Sequence, residues 1–156
     1  MERSREDVAA LRAKVRQDAA DIGIDEAFIA LMVDTFYARI REDAVLGPIF
    51  AARIDDWPHH LARMRAFWSS VLLHSGSFSG NPMLKHVAIP DIGRNEFVHW
   101  LTLFEATLSD VASHPDASAA VIAKARMIAE SLYSGIQMHR DGVRDPSRLK
   151  SLGQAA

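Results

Sequence analysis

The chain has 156 residues, one domain's worth, with 49% hydrophobic and 24% charged residues, enough for a core that could enclose a cofactor. A net charge of -2 and a pI near 6.4 argue against a nucleic-acid partner, since sequence-independent binding needs a basic excess. The absence of Cys excludes disulfides, iron–sulfur clusters and Cys nucleophiles and fits a reducing compartment, so a cytoplasmic location is expected.

The opening MERSREDVAA is charged and lacks the apolar stretch of a secretory signal. Over 5–20, Val8, Leu11 and Val15 recur at steps of three and four, a helix with a narrow apolar stripe. Gly23 stops it and Asp25 caps the next helix, expected over 25–42 with Phe28, Leu31, Met32, Thr35, Phe36 and Ile40 inward. Gly47-Pro48 is expected to break the chain inside LGPIF, leaving a short turn before Asp55-Asp56. Asp56 caps a third helix, from Trp57-Pro58 to near His74, with Pro58 in the first turn where its missing N–H is harmless. HSGSFSGNP, residues 74–82, reads as loop, and Asn81-Pro82 opens a short helix that Ile89-Pro90 stops. Long helices are expected over 94–111 and 116–139, separated by His114-Pro115. No apolar run approaches the ~18 residues of a membrane span, so no membrane association is expected. The class is all-α, in three segments: an N-terminal helical extension at 1–24, a domain at 25–139 and a flexible tail at 140–156.

Seven His invite a metal reading, but there is no HExxH and no pair of His at i, i+4. His59 and His60 are adjacent, so on a helix they point about 100° apart and cannot share a site. Helical phasing puts His60 on the apolar stripe with Trp57, Leu61, Met64, Trp68 and Val71, and His59 on the polar side with Arg63, Ala66 and Ser70. Spacing alone leaves His60 as a core histidine, Tyr37 as a core tyrosine with a wet hydroxyl, and Trp100 as a core tryptophan. His86 is less ordinary, because it lies on a short helix between Gly-rich and Pro breaks, one turn from Met83 and Ile89. One His is enough for a cofactor that brings its other ligands, as haem does.

Read in order, FY at 36–37, LGPIF at 46–50, WPHH at 57–60, FW at 67–68, LL at 72–73, SGNPMLKH at 79–86, FVHWLTLF at 97–104 and ARMIA at 125–129 resemble a truncated haemoglobin of group III. Each piece is weak alone; their order and spacing over about residues 25–139 are specific. Glycine pairs carried by groups I and II near these junctions are missing, which fits group III. The resemblance implies a truncated globin-like helical sandwich around haem b, with iron bound by His86 as proximal ligand. It makes Tyr37, His60 and Trp100 the distal groups that face a bound diatomic ligand. Phe50 wedges against the haem, and Arg63 and Lys85 occupy positions from which a basic side chain reaches a propionate. Phe36, Met64, Phe67, Trp68, Met83, Val87, Ile89, Phe97, Phe104 and Ile128 line the pocket more loosely. The N–H of His86 not facing iron is expected to donate to a backbone carbonyl. No residue is assigned a catalytic role.

The function so implied is binding of dioxygen, and of nitric oxide or carbon monoxide, for storage, delivery or sensing. The alternative is redox chemistry, nitric oxide dioxygenation or peroxide reduction, with electrons from a partner reductase. The N-terminal extension and the tail lie outside the resemblance.

Overall fold

The computed structural model describes residues 2–87, 89 and 92–141, without the side chains at 2, 3, 83, 84, 87, 140 and 141. The described residues form seven helices: α1 (Glu2–Asp21), α2 (Glu26–Glu42), α3 (Leu46–Ala51), α4 (Trp57–Leu73), α5 (Pro82–Val87), α6 (Arg94–Val111) and α7 (Pro115–Asp141). Two pairs make the frame: α2 packs on α4, α6 packs on α7, and α2 meets α6 to join them. α3 rests on α2, α5 on α7, and α1, the additional N-terminal helix, on α4.

Local chemistry sets most helix ends. The Asp25 carboxylate accepts from the Phe28 N–H at 2.8 Å and that of Asp56 from the His59 N–H at 3.1 Å, so two N-termini are capped by their own sequence. Glu96 reaches back to the Gly93 N–H at 3.1 Å and starts α6. His74 closes α4 in the left-handed conformation (φ 54°), a C-terminal role usually given to glycine.

The main core gathers Ile29, Met32, Val33, Phe36 and Ile40 of α2 with Trp68, Phe104, Leu108 and Val121. A smaller cluster joins Ile92, Phe97, Ala129 and Ile136, with Ile49, Ile89, Leu132 and Tyr133 at its edge. Each such side chain contributes about 1.5–3 kcal/mol on burial, so these clusters outweigh the surface pairs Arg39–Asp110 and Arg65–Asp34 (both 2.7 Å), worth about 0–1 kcal/mol each.

Four expectations need correction. LGPIF is not a break: it forms α3, because Gly47 and Pro48 fall in a first turn whose N–H groups need no intrahelical partner. The inward face of α2 is centred on Ile29, Met32, Val33 and Phe36; Leu31, roughly 140° around the helix from Phe36, stays in water. The stripe of α1 is also exposed, with Val8 at 46% and Leu11 at 58%, and α1 meets the core instead through Ala19, with Ile22 just beyond its end. α7 continues past 139 to Asp141; the rest of the tail lies outside the described residues. No helix among the described residues is long and apolar enough to cross a membrane.

Candidate functional site

Tyr37 and His60 meet because α2 and α4 are packed neighbours and both residues lie on the facing sides. Their rings stand edge to face with centroids 5.1 Å apart. Phe50 of α3 abuts Tyr37 at 5.8 Å, and Trp57, one turn before His60, contacts both Tyr37 (6.2 Å) and His60 (5.8 Å). Trp100 joins from α6 through Phe36, whose ring is 5.4 Å from Tyr37 and 5.4 Å from Trp100. Behind it, Trp100 stacks on Phe104 at 5.2 Å, and Phe104 stacks on Trp68 at 5.3 Å. This aromatic pile holds the indole and the phenol from behind.

The electrostatics follow from burial. His60 Nε2 is buried without a hydrogen-bond partner among the described residues. A lone buried imidazole nitrogen costs about 1–3 kcal/mol unless something fills the space before it. Burial first, then the charges of Lys85, Arg63 and His59, push the His60 pKa down to about 4, so the ring is neutral at pH 7. Burial pushes the Tyr37 hydroxyl up, so it keeps its proton and remains a donor. His59 is exposed, as the phasing expects, and the adjacent pair is split between solvent and core.

α5 carries His86, partly buried. Its Nδ1 lies 2.7 Å from the carbonyl of Pro82, one turn earlier. A carbonyl can only accept, so the proton sits on Nδ1 and the Nε2 lone pair is left open. Such a second contact fixes the ring and raises its basicity toward a metal. Among the described residues no three His, Asp or Glu side chains gather into a metal cluster.

The remaining expected residues fall into two groups. Phe36, Phe50, Met64, Phe67, Trp68, Phe104 and Ile128 belong to or pack on the main core that carries Tyr37, and Phe97 and Ile89 lie in the smaller cluster. Lys85 is exposed on α5, close enough for its charge to act on His60. Arg63 donates to the Ser79 carbonyl at 3.3 Å and lies 5.1 Å over the Phe78 ring. The side chains of Met83 and Val87 lie outside the described residues. Two residues were given no site role from the sequence. Trp57, already placed on the stripe of His60, walls that ring beneath the Arg41 guanidinium, which lies 4.6 Å from the Trp57 ring. The Asp43 carboxylate takes the His99 Nε2 at 2.8 Å across 56 positions, for which the sequence holds no local signal.

A profile of the bacterial-like globin family matches residues 20–134. The group 3 truncated hemoglobin ctb of Campylobacter jejuni is 34% identical over 110 residues, which cover 68% of this chain and 86% of that protein. A crystal structure of group III truncated hemoglobin from Campylobacter jejuni superposes with a TM-score of 0.67 at 34% identity, covering 70% of this chain and 89% of the other. The group II truncated hemoglobin from Bacillus anthracis, in a tryptophan-to-leucine variant, has the same fold with a TM-score of 0.62 at 24% identity, covering 73% and 87%. With family profile, relative and fold in agreement, the chain belongs to the bacterial-like globins, a family of haem-binding proteins, and is similar to the truncated haemoglobins of group III.

Proposed function

We propose that this chain holds haem b, with Nε2 of His86 as its ligand, and binds dioxygen among Tyr37, His60 and Trp100. The observation that carries the reading is His86 itself: its Nδ1–H is committed to the Pro82 carbonyl and its Nε2 is left as a base. The buried Nε2 of His60, without a hydrogen-bond partner among the described residues, supports it, since a polar atom so placed has a use for a ligand. Arg63 and Lys85 supply cationic partners for propionates. The globin unit is residues 25–139, with 1–24 as its helical extension.

When bound, haem supplies an iron centre that takes diatomic ligands. The protein's part is to hold donors toward a ligand that carries partial negative charge. Tyr37 keeps its O–H, the Trp100 indole has only an N–H to give, and neutral His60 can present either a donor or a lone pair. The apolar walls keep water from competing for these bonds. An absorbance spectrum of the purified protein with and without dithionite tests the reading. A Soret band that shifts on reduction and again with carbon monoxide is expected, and a protein that takes up no haem when it is supplied refutes it.

Redox chemistry is the second reading, and the neutral His60 favours it. An imidazole with an open nitrogen can accept a proton from a peroxide or hold one for a leaving oxygen. Electrons for turnover would come from a partner reductase. Rapid mixing of the oxygenated protein with nitric oxide, and of the ferric protein with peroxide, separates this role from storage, delivery or sensing. Stoichiometric nitrate formation or peroxide turnover supports redox work, and simple ligand exchange supports storage.

A further inference from the structure

The segment between the two histidine-bearing helices does not hang free. It doubles back along α4 and is bonded to it at several points. Ser69 Oγ donates to the Glu26 carboxylate at 2.6 Å, which leaves it to accept from Ser75 Oγ at 2.9 Å. Further on, the Phe78 N–H donates to Ser70 Oγ at 3.0 Å, Ser77 Oγ to the Ala66 carbonyl at 3.3 Å, and the Phe78 ring stands edge-on to Phe67 at 5.2 Å. The last contact is Arg63, whose guanidinium donates to the Ser79 carbonyl at 3.3 Å and covers Phe78.

As the chain runs from 75 to 79, its contacts on α4 shift from Ser69 through Ala66 and Phe67 to Arg63, with the Phe78 N–H still held by Ser70. These contacts thus deliver Gly80, just before α5, beside Arg63, one turn from His60. Gly80 is fitted to this clasp. A Cβ there would stand 2.8 Å from the Arg63 Nη2, and its φ of +139° is one that L side chains rarely adopt.

We propose that Arg63 is a positioning residue for His86: by clasping residues 78–80 it fixes the root of α5, and so couples the helix of His60 to the imidazole of His86. This rests on the reading of His86 as the haem ligand. It differs from a propionate contact, which needs only a positive charge. The clasp needs a planar group that both covers a ring and reaches a carbonyl, and Lys cannot do both.

The test uses the haem-loaded, full-length protein, with Arg63→Lys, Gly80→Ala and Phe78→Leu as variants. Arg63→Lys keeps the charge. Gly80→Ala leaves every charge in place but drives the guanidinium off its carbonyl. Phe78→Leu removes only the covered ring. Resonance Raman of the ferrous, ligand-free protein reads the iron–histidine stretch, and transfer of haem to an excess apoglobin reads retention. The expected result is a shifted or broadened stretch in all three variants, although none of them changes a residue of α5. Haem loss should be about tenfold faster in Arg63→Lys, equivalent to about 1.4 kcal/mol. An unmoved stretch and unchanged haem loss in Arg63→Lys and Gly80→Ala overturn the clasp. A stretch that is absent from the wild type, or that survives in His86→Ala, overturns instead the reading of His86 beneath it. Phe78 and Gly80 sit outside the core, so these variants fold, and an unchanged thermal melt by circular dichroism assigns the effect to positioning.

Discussion

Replacing Asp43 by Ala removes three interactions from one carboxylate. Oδ1 accepts the Val45 N–H at 2.9 Å and the Leu46 N–H at 2.9 Å, which starts α3, and the carboxylate also takes the His99 Nε2 at 2.8 Å. Loss of such a cap costs about 1 kcal/mol, up to about 2. The pair with His99, whose side chain is 39% exposed, adds up to about 1 kcal/mol. The sum for Asp43→Ala is about 1–3 kcal/mol. Asp43→Asn keeps the shape and one acceptor oxygen, so it should cost about 1 kcal/mol. The coupling between Asp43→Ala and His99→Ala should be about 0.5–1 kcal/mol, because the two side chains share one bond. Urea unfolding of haem-loaded protein at pH 7, followed by tryptophan fluorescence, measures all four proteins of the cycle. The pH dependence gives an independent check. The Leu46 N–H first, and then His99, hold the Asp43 carboxyl below its ordinary value. A lowered carboxylate pKa stabilises the fold above the unfolded value of about 3.9 and loses that contribution as pH falls through the folded value. The gap between wild type and Asp43→Ala should therefore narrow in acid. The loss also has a reading at the site: α3 carries Phe50, so a frayed cap loosens the wall beside Tyr37 and alters ligand release. A cost below about 0.5 kcal/mol, within the range of a neutral surface change, refutes the assignment of Asp43 as the anchor of α3.

Tyr37→Phe removes one donor with little change in shape, and at about 1.5–3 kcal/mol for a bond to a charged partner it should speed oxygen release roughly 10- to 100-fold. Carbon monoxide release should change much less, stopped flow measures both, and an unchanged oxygen off-rate in a His60→Ala background as well removes Tyr37 from the site. His60→Ala should alter ligand kinetics and His59→Ala should not, since only the first ring faces inward; equal effects contradict the phasing. The lowered pKa of His60, about 4, means that the fold favours the neutral ring. Stability should then fall as pH drops from about 6.5 toward 4 and level off below, by about 1–2 kcal/mol after allowance for solvent screening. Denaturant melts of wild type and His60→Leu across that range check it: a slope that persists in the variant assigns the effect elsewhere.

Much of the helical layout is written locally. Asp25, Asp56 and the His114-Pro115 pair act on their own neighbours, so the starts of α2, α4 and α7 and the end of α6 can be read within a residue or two. The phase of α4 was equally legible, because Trp57, His60, Met64 and Trp68 share one stripe. Leu31 was misjudged because α2 carries apolar residues around much of its circumference, and only the packing of α4 and α6 decides which of them face inward. LGPIF defeated the reading since Gly and Pro signal a break until one sees that both fall in the first turn. The Asp43–His99 bond and the clasp at Arg63 were invisible for another reason: both depend on where the chain returns in space. The roles proposed for His86, Tyr37 and Trp100 rest on the ordered motifs, since spacing alone left Tyr37 and Trp100 as core residues and marked His86 only as unusual.

The measurement closest to the central claim is the ferrous absorbance spectrum of His86→Ala beside that of the wild type, each with and without added imidazole. The open Nε2 of His86, oriented by the 2.7 Å contact of its Nδ1 with the Pro82 carbonyl, should give the wild type a five-coordinate spectrum typical of an imidazole ligand. His86→Ala should hold haem weakly or lose it, and free imidazole should restore the spectrum by filling the vacated place. A His86→Ala protein that retains haem with the wild-type ferrous spectrum and no imidazole would contradict the account.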